Sequence, residues 1–190
     1  MKLYYLPGAC SLASHILLRE AGIPFELVRV HAETKEVEDA GDYLAINPLG
    51  YVPALTTPNV GTLIENGAIL PYLADRFGFA GPGNRYSFLQ SISFLSSELH
   101  KAYSPFYSES EMSGDPREKA VVKLHTRLAR LDTAYAFPRF DAATVYAFVI
   151  TNWSDAVGVS LDAYPNIQAM RAAIAERPSV QEAMAAEQPK

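Results

Sequence analysis

The sequence of 190 residues contains a single cysteine, Cys10, so no disulfide bond can form within the chain. A chain with one unpaired thiol suits a reducing compartment, and we expect a cytoplasmic protein. Its four histidines also lack the spacing of zinc ligands, both among themselves and with the cysteine. We therefore predict no metal site at His15, His31, His100 or His125.

The sequence also lacks a long apolar stretch and a basic segment, which limits the kinds of partner that the protein can have. The longest apolar stretch, Ala142 to Ile150, is interrupted by Thr144 and falls far short of the roughly 20 residues that span a membrane. The 16 basic and 21 acidic residues give a net charge of -5, and no segment collects lysine or arginine. We therefore expect neither a membrane nor a nucleic acid as partner.

The chain begins with the pattern of a strand, a turn and a helix. Lys2 to Leu6 is rich in tyrosine and leucine and ends at a Pro-Gly turn, which indicates a strand. Apolar residues at helical spacing then run from Ser11, which can cap a helix, to Gly22, which ends it. With a second strand over Phe25 to Val30, the pattern predicts a βαβ unit with parallel strands.

Cys10 lies between that strand and that helix, at the predicted helix N-terminus. Unpaired N–H groups and the helix dipole favour an anion there, so we expect the thiol to ionise more easily than free cysteine. A lone cysteine is also often a small buried apolar residue. A lipidated cysteine is disfavoured, because an export signal needs roughly 7 to 15 apolar residues before it.

A turn-rich segment, Asn47 to Leu55, precedes the next strand. Pro53 stands at the start of that strand, where it marks an edge or a bend that can hold a cis bond. This would leave the N–H and C=O of Val52 free to pair with an extended peptide. A hairpin turn then leads to a strand at Thr62 to Ile64, whereas the polar stretch His31 to Gly41 is interpreted as a loop and a short helix.

The next helix begins at Glu65-Asn66-Gly67 and extends to about Asp75. Asn66 is predicted to cap it, and the exposed N–H groups at its start suit a carboxylate. Pro71 falls in its second turn, where it should remove a hydrogen bond or kink the helix.

Ala80 to Asn84 is rich in glycine and proline and is interpreted as a linker. We place the domain boundary there, with domains at 1–79 and 85–190. Beyond the linker the sequence predicts helices only. They cover Tyr86 to Tyr107, Pro116 to Tyr135 and Asp141 to Trp153, and two more begin at Pro165 and Pro178.

Taken in order, these motifs resemble the glutathione transferases, and in particular the bacterial beta class, whose first motif carries a cysteine. The resemblance rests on Lys2-Leu3-Tyr4-Tyr5, Cys10-Ser11-Leu12, Leu44 to Pro48, Val52-Pro53, Glu65, Tyr72 to Asp75, Ser97 to Lys101 and Tyr103-Ser104-Pro105. It implies an α/β thioredoxin-like N-terminal domain, an all-α C-terminal domain and a symmetric homodimer. It also implies glutathione and a small hydrophobic electrophile as substrates, with no bound cofactor.

The resemblance further implies roles for individual residues. Cys10 and His100 would be the catalytic residues, with Lys101 beside them as a positive charge. Glutathione would be bound by Lys35, Tyr51, Val52, Pro53, Glu65, Asn66 and Lys101, and by Glu98 of the partner subunit. An apolar co-substrate would lie against Tyr103, Phe106 and Trp153.

Two chemistries fit this resemblance, and the sequence does not separate them. In one, the protein lowers the pKa of the glutathione thiol, which then attacks an electrophile. In the other, Cys10 forms a mixed disulfide with glutathione and transfers thiols. A non-catalytic binding or regulatory protein with the same fold is the alternative. A glutaredoxin-like reductase is disfavoured, because Ala13 stands where a Cys-x-x-Cys motif needs its second cysteine.

The sequence departs from the family pattern in several places. Asn66 stands where the family has Ser or Gly, and Pro71 is unusual. The segment from Phe137 to Thr144 is shorter than in the family and reverses its usual capping pair, with Asp141 at the cap and Thr144 third. Asp141 can still cap the helix, but the reciprocal hydrogen bond is lost. We expect this loss to lower the stability of the second domain by about 1 kcal/mol.

Overall fold

A computed structural model describes residues 1–37, 41–81, 83–107, 114–134 and 139–188. Its main sheet has four strands in the order β2-β1-β5-β6. The strands are β1 at Lys2–Tyr5, β2 at Glu26–Arg29, β5 at Ala54–Thr57 and β6 at Gly61–Ile64. β1 is parallel to β2, while β5 is antiparallel to both β1 and β6. The predicted thioredoxin-like domain with its βαβ unit is therefore confirmed.

Helix α1, Ser11–Glu20, connects the parallel strands. The N-cap position belongs to Cys10 and not, as the sequence predicted, to Ser11. The Ser11 hydroxyl instead turns back to the end of β1, where it donates to Leu6 O at 3.2 Å and accepts from Leu6 N. Ser11 therefore fixes the turn that carries Cys10.

The prediction of a loop and a short helix from His31 to Gly41 is wrong in its helical part. β3 at Glu36–Val37 pairs antiparallel with β4 at Gly41–Asp42, and residues 38–40 lie outside the described residues. Two-residue strands carry too little hydrophobic pattern to be recognised in a sequence.

Helix α2, Asn66–Phe77, continues through Pro71 without a break. Glu65 holds the N-cap position with φ 69°, a left-handed conformation that costs energy for a residue with a side chain. Asn66 is the first helical residue and does not cap the helix as predicted. Gly78 ends the helix with φ 81°, a conformation in which glycine is free of the Cβ clash.

The described residues beyond Asn84 form helices and loops without a strand, which confirms the predicted all-α part. The helices are α3 at Arg85–Phe94, α4 at His100–Tyr103, α5 at Asp115–Ala134, α6 at Ala142–Val157, α7 at Pro165–Ala175 and α8 at Pro178–Glu187. The predicted single helix from Tyr86 to Tyr107 is interrupted by a π-helical turn at Leu95–Leu99 and ends in a 3₁₀ turn. π-Helical turns within α-helices are frequent at functional sites.

Helix α6 begins at a buried carboxylate. Asp141 Oδ1 accepts hydrogen bonds from Thr144 N at 2.8 Å and from Thr144 Oγ1 at 3.0 Å. The reversed pair of the sequence thus still caps this helix. Arg139 forms an ion pair with the other oxygen, Oδ2, at 2.8 Å. Residues 135–138 of the shortened segment, and Pro82 of the linker, lie outside the described residues.

One apolar core joins the sheet and the helices. Leu3 of β1 and Leu17 of α1 belong to the same buried cluster as Leu124 of α5 and Ile150 of α6. α1 contacts both α6 and α8, so the helical part packs directly against the helix that carries Cys10. The division at residues 79 and 85 stays a prediction.

Candidate active site

Most of the predicted site residues line one cavity of about 340 Å³. It opens between the sheet part and the helical part of the chain. Its lining includes Leu6, Cys10, Lys35, Gly50, Tyr51, Val52, Pro53, Glu65, Asn66, Ser96, His100, Lys101, Ser104 and Tyr146. A nucleophile, an exposed peptide edge and side chains of both charges therefore meet in one place.

Cys10 lies at the floor of this cavity with its thiol donating to Val52 O at 3.3 Å. Burial and, after it, the nearby Glu65 carboxylate raise the pKa of the thiol to about 12, against smaller opposing effects of backbone N–H groups and Lys101. The expectation of an easily ionised thiol is therefore wrong for the unliganded protein. The N-terminus of α1 is present, but loss of hydration outweighs its field.

The peptide edge at Val52 is held by hydrogen bonds to the preceding residue. The C=O of Tyr51 accepts from Tyr43 Oη and from Asn47 Nδ2, both at 2.7 Å. The Val52–Pro53 bond is cis, in the bend that the sequence indicated. The prediction that the Val52 C=O is free is wrong, because it accepts from the Cys10 thiol. Within the described part of the chain the Val52 N–H has no acceptor, so it is available to a ligand.

Asn66 joins the start of α2 to the Cys10 turn. Its Nδ2 donates to Cys10 O at 2.9 Å, and its Oδ1 accepts from Ser14 Oγ at 3.1 Å. This side chain is 3% exposed, so its amide holds two helices together and is not itself free for a ligand. Glu65 beside it is exposed at the cavity rim.

Lys35 also lines the cavity, on the side of the short hairpin. Its Nζ donates to Ala32 O at 2.6 Å, and its backbone has φ 60°. Gly50 lies against its alkyl chain, since a Cβ at Gly50 would be 3.3 Å from Lys35 Cε. Lys35 is thereby held near the peptide edge.

His100 follows the π-helical turn directly, and its Nδ1 lies 2.9 Å from Tyr146 Oη. Its ring also packs edge-on against Trp153, with centroids 4.9 Å apart. Burial and, after it, the charge of Lys101 lower the pKa of the imidazole to about 4. His100 is therefore neutral at neutral pH, and Lys101 is the cation of this pair.

Tyr146 and Ser96 line the cavity although sequence reasoning missed them. Tyr146 lies within an almost wholly apolar helix, where the pattern predicts a core residue. In the structure it is 1% exposed. Ser96 lies in the π-helical turn, whose extra residue changes which side chains face the cavity. The sequence carries no signal for that turn.

Other predicted site residues lie outside the cavity lining. Glu98 is on an exposed surface, where it accepts from Arg127 Nη2 at 3.0 Å. Tyr103 is fully buried, with its hydroxyl 2.6 Å from Ser154 Oγ. Phe106 lines a separate cavity of about 220 Å³.

Residues of the helical part hold the loop before Cys10. Trp153 Nε1 donates to Gly8 O at 2.9 Å, and Gly8 N donates to Glu187 Oε2 at 3.0 Å. The other oxygen of Glu187 accepts from Nδ1 of the buried His15 at 2.9 Å, while His15 Nε2 accepts from Arg19. The final helix thus fixes the turn that presents the thiol.

Neither a metal centre nor a membrane span is found in the described ranges. They contain no group of three or more His, Cys, Asp or Glu side chains placed to bind a metal ion. No helix within them is both long and apolar enough to cross a bilayer.

Comparison with known proteins shows the relationships of the chain. Residues 1–75 match the family of glutathione S-transferase N-terminal domains. Glutathione S-transferase GstA of Escherichia coli O157:H7 is 38% identical over 98% of this chain and 98% of its own length. A solved sphingomonad glutathione S-transferase, complexed with glutathione, is 41% identical with a TM-score of 0.90, and covers 98% of both chains.

A second solved structure carries the class resemblance. The bacterial beta class glutathione S-transferase of Sphingomonas chungbukensis is 42% identical with a TM-score of 0.89, again over 98% of each chain. The similarity therefore extends through the sheet part and the helical part alike.

Proposed function

This chain belongs to the glutathione S-transferase family, and from that premise we propose that it binds glutathione at the Cys10 cavity and transfers it to small apolar electrophiles. The observation that carries the proposal is the shared cavity of the Cys10 thiol and the Val52 peptide edge. An extended peptide pairs with such an edge through its backbone and brings its own thiol beside Cys10.

The charges around the cavity match the ends of glutathione. Val52 pairs with the cysteinyl residue, with Tyr51 and Pro53 shaping the edge. Glu65 binds the ammonium group, and the free N–H groups at the start of α2 beside Asn66 bind the α-carboxylate. On the opposite side, Lys35 and Lys101 attract the glycyl carboxylate.

Binding of glutathione would itself change the reactivity of Cys10. The Glu65 carboxylate raises the pKa of the thiol in the free protein, after the larger effect of burial. An ammonium group bound to Glu65 neutralises that charge, so the pKa of Cys10 falls when the substrate arrives.

Two reactions then use the same site. In conjugation, the glutathione thiolate attacks the electrophile, displaces its leaving group and forms a thioether. In thiol transfer, the Cys10 thiolate attacks one sulfur of oxidised glutathione, a new disulfide forms, and one glutathione thiolate leaves. The Cys10 thiol serves as a hydrogen-bond donor in the first reaction and as the nucleophile in the second.

The electrophile is proposed to enter beside His100. Trp153 packs against His100 at the cavity and also contacts Tyr107, with ring centroids 6.1 Å apart. Phe106 precedes Tyr107 on the same 3₁₀ turn. Tyr103, being buried, supports Trp153 from behind, with ring centroids 5.7 Å apart.

We also propose that the protein is a cytoplasmic homodimer without a bound cofactor. Leu49 and Tyr51 beside the site and Val122 on α5 are apolar and exposed by 61%, 66% and 66%, as expected for surfaces covered by a second copy. Within one chain Glu98 lies away from the cavity. Any contact of Glu98 with glutathione therefore requires the partner subunit. Light scattering in solution would test the dimer.

The function is tested by turnover of an activated aryl chloride and of a glutathione mixed disulfide, each with wild-type protein and Cys10→Ala. We expect both reactions with wild-type protein. The variant should lose thiol transfer, and it should keep conjugation at a reduced rate because the Cys10 hydrogen-bond donor is gone. Unchanged thiol transfer in Cys10→Ala would refute the nucleophilic role of Cys10. Binding of glutathione without turnover in either assay would refute the enzymatic proposal.

A further inference from the structure

The hydroxyl of Tyr146 is buried in the cavity, where it lies within hydrogen-bond distance of His100. Tyr146 comes from the middle of α6, while His100 begins α4, so the pair joins two helices that are far apart in sequence. The two polar atoms are 2.9 Å apart, and the rings meet nearly at right angles, at 80°. Both side chains line the cavity that holds Cys10.

The protonation of this pair follows from burial. A buried hydroxyl needs an acceptor for its proton, because an unsatisfied polar group costs about 1 to 3 kcal/mol. Burial and, after it, the nearby Cys10 raise the pKa of the Tyr146 phenol, and the neighbouring Ser96 and Asn66 side chains offset that rise only in part, so the hydroxyl keeps its proton. The neutral imidazole of His100 offers Nδ1 as the acceptor.

We propose that Tyr146 is a positioning residue of the glutathione site, whose hydroxyl donates to Nδ1 of His100 and holds the imidazole as the tautomer protonated on Nε2. Since Nδ1 is occupied, Nε2 is the ring nitrogen left for a ligand. An N–H there donates to the sulfur of bound glutathione and stabilises its thiolate. This inference rests on the proposed function for its kinetic part only.

The chain contains a comparable control. Tyr164, the residue before α7, is 7% exposed, and its hydroxyl lies 2.7 Å from Nδ1 of His125 and donates to His125 O at 3.2 Å. Neither residue lines the Cys10 cavity. Tyr146→Phe and Tyr164→Phe therefore each remove a buried tyrosine hydroxyl from a histidine ring, one in the site and one outside it.

The direct test is the nitrogen chemical shift of the His100 ring, measured by NMR on labelled protein without any substrate. The proposal requires the tautomer protonated on Nε2 in wild-type protein and a mixture of tautomers in Tyr146→Phe, with Tyr164→Phe unchanged at His100. A wild-type ring protonated on Nδ1 would overturn the proposal. So would an unaltered tautomer in Tyr146→Phe.

The kinetic test separates positioning from mere stability. Tyr146→Phe should lower kcat for conjugation about tenfold while the KM for glutathione stays within about twofold, because a misdirected donor affects the transition state more than binding. The effect should vanish in a His100→Gln background. An equal loss there, or the same loss in Tyr164→Phe, contradicts the proposal.

The failures of the two proposals are distinguishable. If wild-type protein turns over no electrophile, the proposed function fails while the ring shifts still decide the Tyr146–His100 geometry. If turnover is normal and the tautomer is wrong, only the inference on Tyr146 fails.

Discussion

The cavity has two walls that are built in different ways. The first wall consists of Cys10, Val52, Glu65 and Asn66. Hydrogen bonds to the carbonyl of Tyr51 and from Asn66 to the carbonyl of Cys10 hold the turns that form it. The second wall consists of Ser96, His100, Lys101 and Tyr146. It depends on how α6 packs against the π-helical turn.

The difference shows where each wall is vulnerable. Turns marked by proline, glycine and asparagine specify the first wall, so single changes there should alter chemistry more than stability. The second wall exists only if α6 lies correctly against α1 and the π-helical turn, so remote changes in packing should disturb it. The last helix, α8, supports the Cys10 turn of the first wall from outside.

The largest effect is expected where the last helix meets the Cys10 turn. Glu187→Ala leaves the fully buried His15 Nδ1–H and the Gly8 N–H without an acceptor, and each of these two hydrogen bonds to a charged group contributes about 1.5 to 3 kcal/mol. Chemical denaturation measures the loss. Glu182→Ala, on the same helix but in an exposed ion pair, should cost under about 1 kcal/mol.

Equal losses in the two variants would show that Glu187 does not anchor the turn. Glu187→Gln provides the intermediate case, because an amide oxygen still accepts one hydrogen bond while the charge is lost.

Acid should weaken the second wall through His100. The pKa of His100 falls from 6.5 to about 4 on folding, so the unfolded chain binds a proton in this window that the folded chain does not. The free energy of unfolding therefore decreases as the pH falls from 6.5 to 4, by up to about 3 kcal/mol from this group. In His100→Gln that part of the pH dependence should disappear. Parallel curves for the two proteins would contradict the assignment.

Helix α6 carries Tyr146 and depends on its cap. Asp141→Ala removes the acceptor of Thr144 N and the partner of Arg139, and we expect a loss of about 2 kcal/mol in the free energy of unfolding. Asp141→Asn keeps an oxygen for the cap and should lose less. Stability equal to wild type in Asp141→Ala would refute the capping role.

The smallest effect is expected in the first wall, at Glu65. Glu65→Gln removes the negative charge that raises the pKa of Cys10, so the thiolate fraction at a given pH should increase. The rate of alkylation of Cys10 should rise with it, and Glu98→Gln should leave the rate unchanged. A slower reaction in Glu65→Gln would reverse the sign that we infer.

The same contrast explains how far sequence reasoning reached. The βαβ unit, the bend at Pro53 and the places of Cys10 and Val52 beside it follow from turn residues and local periodicity, whereas the place of Glu65 in the site follows from the family resemblance. The pairing of His100 with Tyr146 does not, because it depends on the rotation of α6 about its axis. Packing over the whole core sets that rotation.

The protonation states of the site residues were the part of the site that the sequence predicted least well. A cysteine at a helix start predicts a reactive thiol. Burial reverses that expectation, because it raises the pKa of Cys10, and it also lowers the pKa of His100. Depth inside a cavity formed by two parts of a chain is not encoded in any local pattern.

The most direct test of the central claim is the intact mass of the protein after incubation with oxidised glutathione, before and after a reductant is added. If the Cys10 thiol lies in a glutathione site, wild-type protein gains the mass of one glutathionyl group, the reductant removes it, and Cys10→Ala gains none. No adduct on folded wild-type protein with a free thiol, or an equal adduct on Cys10→Ala, would contradict that claim.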